Sequence, residues 1–196
     1  MANRTGTYIA FDGLGKINPT ESDFKYYATM QAWSAGKNID FKFVNSHEKT
    51  AAVRDTSLRS TLESRIRERL AASKNCIVIL SDDTRKTGSM LSYEIEKAVD
   101  LYQIPLICVY VGYNTIYSPK ELSHRWPDAL TSRINNGTAN AIHVAFKKEI
   151  LLTAINQFSV NDGYPGGSLV IYTKEAQEKM NSKETLNKPQ AGCSLW

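Results

Sequence analysis

Glu94 is the residue of this chain best placed to do chemistry. It lies in the segment Ser89–Ala98 (SMLSYEIEKA), between two apolar, β-rich runs, Asn75–Ser81 and Ile104–Val111. This order predicts a strand–helix–strand unit, whose helix begins at the carboxyl edge of the sheet, where α/β proteins bind ligands. Helical spacing places Glu94 about 100° from the apolar stripe that packs on the sheet, so its carboxylate could face a ligand in that crevice. The alternative is a solvated charge that favours the positive end of the helix dipole.

The loops at the same edge supply candidate ligand contacts. Phe11, Asp12 and Gly13 end the first predicted strand, where an aromatic ring can stack on a ligand and backbone groups can hydrogen-bond to it. Phe11 is also compatible with a place in the hydrophobic core. The other polar candidates on neighbouring loops are Asn45, Ser81, Thr84 and Ser89. Ser89 also marks a helix N-terminus, whose amides can bind phosphate.

A cluster of arginines, Arg65, Arg67 and Arg69, lies on a predicted helix whose apolar positions recur every four residues. These guanidinium groups could contact phosphate. Glu63 and Glu68 interleave with them, so the alternative is a solvated, salt-bridged helix face.

Several common kinds of site are missing from the sequence. His47, His124 and His143 do not fall at ligand spacing with acidic residues or cysteines. We therefore expect no metal site, and each histidine is interpreted as a surface or capping residue. The chain has no GxGxxG, Walker or GxSxG motif, which disfavours hydride transfer, P-loop phosphoryl transfer and α/β-hydrolase chemistry.

Five predicted strands alternate with helices along the chain. They are Thr7–Phe11, Ile39–Val44, Cys76–Ser81, Ile104–Val111 and Ala141–Phe146. This alternation predicts an α/β fold with a flavodoxin-like, doubly wound, five-stranded parallel sheet in the order 2-1-3-4-5, its partly polar second strand at an edge. Residues 5–158 then form one domain. A cluster of glycine, proline and polar residues introduces a short, partly ordered C-terminal extension over residues 159–196, in which we expect a short strand or helix to pack back on the domain.

Composition limits the class of protein and its partners. With 196 residues and 42% hydrophobic content, the chain suits one packed domain. Its net charge of +4 is spread along the chain, so we expect no nucleic-acid partner. Cys76, Cys108 and Cys193 have neither paired nor metal-ligand spacing. The N-terminus lacks the apolar part of a secretion signal, and no apolar run approaches the roughly 18 residues of a membrane span. We expect a cytoplasmic protein without a membrane partner.

The stretch from Arg67 to Val111 resembles the bacterial TIR-like family related to the Thoeris antiphage-defence TIR proteins. The likeness is carried by a helix that ends in Ala72-Ser73, a loop with Thr84, and the sequence Tyr93-Glu94-Ile95 with Ala98 one turn later. With the N-terminal elements it extends over about residues 5–158. In that family the glutamate that matches Glu94 is the catalytic residue of NAD cleavage. Many TIR sequences have tryptophan four residues before this glutamate, where this chain has Met90.

The resemblance implies a TIR-domain hydrolase, an NAD⁺ nucleosidase (NADase) or ADP-ribosyl cyclase, that needs no cofactor because NAD is its substrate. Breaking the nicotinamide–ribose bond builds positive charge on the ribose, so the transition state resembles an oxocarbenium ion and is stabilised by a fixed negative charge. Glu94, kept ionised by the helix N-terminus, would supply that charge, and Phe11 would stack on nicotinamide. The product would be a cyclic ADP-ribose or another ADP-ribose-derived signal, sensed by a separate effector in antiviral defence.

Self-association is expected on activation, because a single open crevice covers one side of a ligand. The polar loop Ser46–Thr56 is the segment expected to reach the next molecule. Two other functions stay open. One is a non-catalytic TIR scaffold that acts by self-association, with Glu94 a surface charge. The other is a phosphoacceptor receiver of the same sheet topology. Its candidate residues are Asp12, Asp82, Asp83 and Lys147. Receivers need a set of Mg²⁺-binding carboxylates, and here one acid follows the first strand.

Overall fold

The computed structural model describes residues 4–14, 18, 20, 22–36, 59–161 and 166–186. At its centre lies a parallel sheet of four strands in the order β1-β2-β3-β4. The strands are β1 (Gly6–Ala10), β2 (Ser73–Leu80), β3 (Leu106–Tyr110) and β4 (Ala141–Ala145). Every residue of β1, β3 and β4 is buried. Strands covered on both faces need apolar residues throughout, which explains the largely unbroken apolar runs in the sequence.

The register of the sheet aligns isoleucines from all four strands. Ile9 of β1 lies beside Ile77 of β2, which lies beside Ile107 of β3, and Ile142 of β4 follows. All four side chains are buried. β-branched residues suit such a pleated, covered surface, so this row stabilises the centre of the sheet.

Helices connect and cover the strands. They are α1 (Phe24–Ser34), α2 (Arg59–Ala71), α3 (Met90–Glu96), α4 (Asp128–Asn135), α5 (Lys148–Gln157) and α6 (Lys174–Leu186). A π-helical turn over Lys97–Leu101 continues α3, and a 3₁₀ helix spans Pro119–Arg125. α3 packs against α4, and α5 packs against α6. Among the described residues, no helix is both long enough and apolar enough to cross a bilayer.

The α/β fold and four of the five predicted strands are confirmed. Observed β1, β2, β3 and β4 correspond to the first, third, fourth and fifth predicted strands. The second, Ile39–Val44, lies outside the described residues. This second strand and the complete order 2-1-3-4-5 therefore stay predictions.

The described part of the C-terminal extension, residues 166–186, packs against the domain. Val170 forms an isolated parallel bridge with Ile142 of β4. The backbone N–H groups of Ala141 and His143 donate to the carbonyl oxygens of Gly167 and Val170, each over 2.8 Å. Further along, the Gln177 side chain of α6 is buried and hydrogen-bonds both the N–H and the carbonyl of Ile116. These contacts attach the extension to β4 and to the loop after β3.

The interpretation of His143 as a surface or capping residue is wrong. His143 lies in the middle of β4 and is buried. Its Nε2 lies 2.9 Å from the carbonyl oxygen of Ser168 and its Nδ1 lies 2.8 Å from the Tyr110 hydroxyl. Because a carbonyl only accepts hydrogen bonds, we place the proton on Nε2, and Nδ1 accepts from Tyr110. Burial lowers the pKa of His143 to about 4, so the ring is a neutral structural link at neutral pH.

Candidate active site

A cavity of about 210 Å³ opens at the carboxyl ends of β1 and β2. The loop after β1 forms one wall, with Phe11, Asp12, Gly13 and Leu14. Helix α2 contributes Leu62, Arg65, Ile66 and Arg69. Arg85 from the loop after β2, Ser89, and the first turns of α3 with Met90, Leu91 and Glu94 complete the lining. The cavity thus lies where parallel α/β sheets bind ligands. It brings together seven candidate residues from the sequence: Phe11, Asp12, Gly13, Arg65, Arg69, Ser89 and Glu94.

Glu94 is more deeply buried than its position in the sequence predicted. Its side chain lines the cavity, yet the residue is only 4% exposed. The Tyr8 hydroxyl of β1 donates a hydrogen bond of 2.5 Å to Oε1 of Glu94. In α3 the buried residues are Leu91, Glu94 and Ile95, three positions that share one helix face. The carboxyl therefore points toward β1 rather than sitting at a solvated rim, and the alternative of a surface charge is wrong.

Burial also changes the charge of Glu94. Removal from water raises the pKa of its carboxyl to about 8, because a desolvated carboxylate is disfavoured. The hydrogen bond from Tyr8 and the positive charge of Arg69 act in the opposite direction without cancelling the effect. The expectation that the helix N-terminus keeps Glu94 ionised is therefore wrong for the protein alone, in which the carboxyl is mostly protonated at pH 7.

Asp12 is the second carboxyl of the cavity, and its environment is opposite to that of Glu94. The Arg85 guanidinium forms a bidentate contact with it, in which Nε donates to Oδ2 and Nη2 donates to Oδ1, each over 2.8 Å. The backbone N–H groups of Arg85 and Leu14 donate to the same carboxylate. Burial pushes the pKa of Asp12 upward, but these hydrogen bonds outweigh it and hold the pKa below its usual range. Asp12 is thus a charged group that joins the loops after β1 and β2.

Two arginines of the cluster Arg65, Arg67 and Arg69 on α2 reach the cavity. Arg65 and Arg69 line it, whereas Arg67 is exposed and does not. Nη1 of Arg65 is buried and has no hydrogen-bond partner among the described residues. The sequence left phosphate contact and a solvated face as alternatives. Arg67 fits the solvated face, and phosphate contact by Arg65 and Arg69 stays a prediction.

Phe11 and Met90 form apolar parts of the lining. The Phe11 ring stacks on Tyr27 with centroids 5.2 Å apart and meets Phe24 edge-on at 5.7 Å. These contacts favour the core alternative for Phe11, and its stacking on nicotinamide stays a prediction. Met90 is half-buried at the place where many TIR sequences have tryptophan. Ser89 lines the cavity beside it, and its Oγ is buried without a hydrogen-bond partner in the described part of the chain.

Ser81 and Thr84 do not line this cavity. Thr84 Oγ1 accepts a hydrogen bond of 2.9 Å from the Ser81 N–H, and Ser81 Oγ accepts one of 3.1 Å from the Asp83 N–H. Both side chains therefore shape the turn after β2. Thr84 Oγ1 also lies 3.5 Å from Oδ2 of the buried Asp23, whose pKa burial raises to about 6. Their contact with a substrate stays a prediction. Asn45 and the loop Ser46–Thr56 lie outside the described residues.

Sequence reasoning missed Tyr8 and Arg85. Tyr8 could have been found, because residues two apart on a strand share a face and Tyr8 precedes Asp12 by four positions. Arg85 had no comparable signal, since its contact with Asp12 spans 73 residues and depends on how two loops meet. Within the described ranges, no group of three or more histidines, cysteines or acidic residues could hold a metal ion. Because this finding covers the described residues alone, the absence of a metal site stays a prediction.

A comparison with known families agrees with this geometry. Residues 8–116 match the family model described as Thoeris protein ThsB, TIR-like domain. The matched range covers more than half of the 196 residues and contains Tyr8 and every residue that lines the cavity, Glu94 included. A TIR-domain role in antiphage defence follows from the match. From its sequence and its parallel α/β core, the chain belongs to the TIR-like domain family of the Thoeris protein ThsB.

Proposed function

We propose that this protein cleaves the nicotinamide–ribose bond of NAD, with Glu94 as the catalytic residue. The observation that carries the proposal is the buried carboxyl of Glu94, held by Tyr8 and lining a cavity at the carboxyl ends of the strands. A carboxyl whose pKa is strongly shifted within a cleft is characteristic of catalytic groups. The family match spans the whole cavity, so the proposed site lies within the part of the chain that carries the family likeness.

The raised pKa of Glu94 suits a cationic ligand. In the protein alone the carboxyl is mostly neutral at pH 7, because burial raises its pKa to about 8. The nicotinamide ring of NAD carries a positive charge, and an opposite charge within about 4–6 Å favours the ionised carboxyl. Binding of NAD therefore lowers the pKa of Glu94 and releases its proton. The carboxylate then stabilises the positive charge as it moves from the ring to the ribose.

The reaction balances without a cofactor. Nicotinamide leaves as a neutral molecule with the electron pair of the broken bond, and the ribosyl cation is captured by water or by a nitrogen of the substrate's own adenine. Either capture releases one proton, which the Glu94 carboxylate can accept. Leu62, Ile66 and Met90 make part of the cavity wall apolar, and exclusion of water favours capture by adenine. The product is then a cyclic ADP-ribose, a signalling nucleotide for a separate effector.

Nicotinamide release by purified protein tests this function. We expect Glu94→Gln to lower the rate by on the order of 10²–10³ while the fold is kept, because the amide preserves the shape and removes the charge. Glu96→Gln is the matched control, since Glu96 lies on the same helix and does not line the cavity. Release should be measured by mass spectrometry of the products, with and without lysate of phage-infected cells.

Equal release from the wild type and the Glu94 variant would remove Glu94 from the mechanism. No release under either condition would favour the non-catalytic scaffold. The receiver alternative would instead show Mg²⁺-dependent acyl-phosphate labelling. The structure gives it little support, because Asp12 is bound by Arg85, and Asp82, which is 81% exposed, pairs with Arg125.

We also propose that copies of the protein associate on activation, because the cavity opens to solvent on one side of the sheet edge. A second copy placed over the opening would keep water from the ribosyl cation. The same assay at stepwise dilution tests this idea. A rate per molecule that does not change with protein concentration would contradict it.

A further inference from the structure

The cavity carries a distinctive arrangement of charge. Its lining contains three arginines, Arg65, Arg69 and Arg85, and two carboxyls, Asp12 and Glu94. Arg85 is already engaged, because it binds Asp12 through two hydrogen bonds. The rest of the positive charge in the lining comes from α2, which carries Arg65 and Arg69. A ligand that is cationic at one end and anionic at the other would match Glu94 on α3 and the arginines on α2.

Arg65, one of the three arginines in the lining, has a guanidinium nitrogen without a hydrogen-bond partner in the described part of the chain. Its Nη1 is buried, and no hydrogen-bond acceptor reaches it among the described residues. Buried N–H groups of charged side chains are nearly always paired, so an unpaired one beside a cavity indicates an acceptor that a ligand brings. Guanidinium groups match phosphate oxygens in particular, because their planar donors can bind two oxygens at once.

We infer that Arg65 binds a phosphate group of the dinucleotide and so makes this cavity specific for phosphate-bearing nicotinamide nucleotides. The inference rests on the proposed function for the identity of the ligand. Nicotinamide riboside has the same reacting bond but no phosphate, so it lacks the group that Arg65 would bind. Arg65 would therefore act as a specificity-determining residue, while Glu94 acts on the reacting bond that both compounds share.

The binding of ADP-ribose, measured by isothermal titration calorimetry, tests this role without any need for cleavage. We expect Arg65→Met to weaken ADP-ribose binding about 10- to 100-fold, the effect of one lost hydrogen-bonded charge contact. Arg65→Lys should bind ADP-ribose more weakly than the wild type and more tightly than Arg65→Met, because lysine keeps the charge and loses the planar fork. Arg67→Met is the matched control, since Arg67 is exposed on the same helix and does not line the cavity.

Adenosine, which has no phosphate, serves as the second probe. Its binding, however weak, should be the same in the wild type and in Arg65→Met. Where the protein releases nicotinamide, the ratio of kcat/KM for NAD to that for nicotinamide riboside should fall by the same 10- to 100-fold in Arg65→Met.

Three results would overturn the inference. The first is undetectable binding of ADP-ribose by the wild type. The second is an equal loss of ADP-ribose affinity in Arg65→Met and Arg67→Met. The third is an equal loss of affinity for ADP-ribose and for adenosine in Arg65→Met. Binding that depends on Arg65 without any nicotinamide release would contradict the proposed reaction and leave the phosphate site standing.

Discussion

At the scale of single residues, the two carboxyls that line the cavity, Asp12 and Glu94, have different surroundings. Asp12 accepts hydrogen bonds from Arg85 and from two backbone amides, and its pKa is held low. In the described part of the chain the Glu94 carboxyl has one hydrogen bond, from Tyr8, and its pKa is raised. Two carboxyls whose pKa values are driven apart have different roles. Asp12 fixes the loops, and Glu94 is the group that can gain and lose a proton near pH 7.

Tyr8→Phe should change the pH dependence of nicotinamide release. The Tyr8 hydroxyl stabilises the ionised form of Glu94 through the 2.5 Å hydrogen bond. Loss of this bond raises the pKa of Glu94 further. The inflection at which kcat/KM rises with pH should therefore lie about one pH unit higher in Tyr8→Phe than in the wild type. To test this, kcat/KM for NAD is measured at about ten pH values, ~0.4 pH unit apart, between pH 6 and pH 10.

Tyr110→Phe is the control for this prediction. Tyr110 is also a buried tyrosine, but its hydroxyl is hydrogen-bonded to Trp126 and His143 and not to Glu94. Loss of the Tyr110 hydroxyl should lower the free energy of unfolding and leave the inflection of kcat/KM with pH unchanged. Superimposable profiles for the wild type and Tyr8→Phe would show that Tyr8 does not act on Glu94.

At the scale of helices and strands, the sequence predicted the elements better than it predicted their contacts. The four described strands could be found because strands buried on both faces are apolar throughout. The depth of Glu94 could not, since it depends on Tyr8, which is 86 residues away in the chain. His143 was misjudged for a similar reason, because its partners Tyr110 and Ser168 lie on other segments. Helical spacing gives the direction of a side chain and says nothing about what it meets.

Gln177→Ala should detach α6 from the domain and lower stability. The Gln177 amide donates to the carbonyls of Ile116 and Tyr172 and accepts from the Ile116 N–H, over 2.8–2.9 Å. Alanine leaves the backbone groups of Ile116 without partners, at a cost of about 2–4 kcal/mol in the free energy of unfolding. Urea unfolding measures this difference.

Lys179→Ala on the same helix is exposed and should change the free energy of unfolding by less than about 0.5 kcal/mol. Similar effects of the two substitutions would mean that Gln177 does not anchor α6.

At the scale of the whole molecule, the buried groups Glu94 and His143 make stability depend on pH in opposite directions. Asp23, whose pKa burial raises to about 6, acts in the same direction as Glu94 at lower pH. Glu94 has its pKa raised from 4.5 to about 8, so the folded protein holds a proton that the unfolded chain loses, and stability falls across that interval. His143 has its pKa lowered from 6.5 to about 4, so the unfolded chain gains a proton first, and stability rises across that interval. The two slopes oppose each other up to about pH 6.5, and above it the Glu94 slope remains.

The wild type should therefore lose about 2 kcal/mol of unfolding free energy between pH 6.5 and pH 8, the contribution of one proton over this interval. Glu94→Gln removes the titrating group and should flatten the dependence in the same range. Urea unfolding of both proteins at the two pH values measures the difference. Parallel losses in the wild type and the variant would show that Glu94 does not titrate with a raised pKa.

The bridge between Val170 and β4 limits how copies of the protein can join. An uncovered outer strand presents free N–H and carbonyl groups, which can pair with a strand of another molecule and start aggregation. Here the N–H groups of Ala141 and His143 and the carbonyl of Ala141 are bonded to Gly167 and Val170 of the same chain. Intermolecular strand addition is therefore blocked over the first three residues of β4. The association proposed above would therefore not use this part of β4, and fibre growth cannot start there.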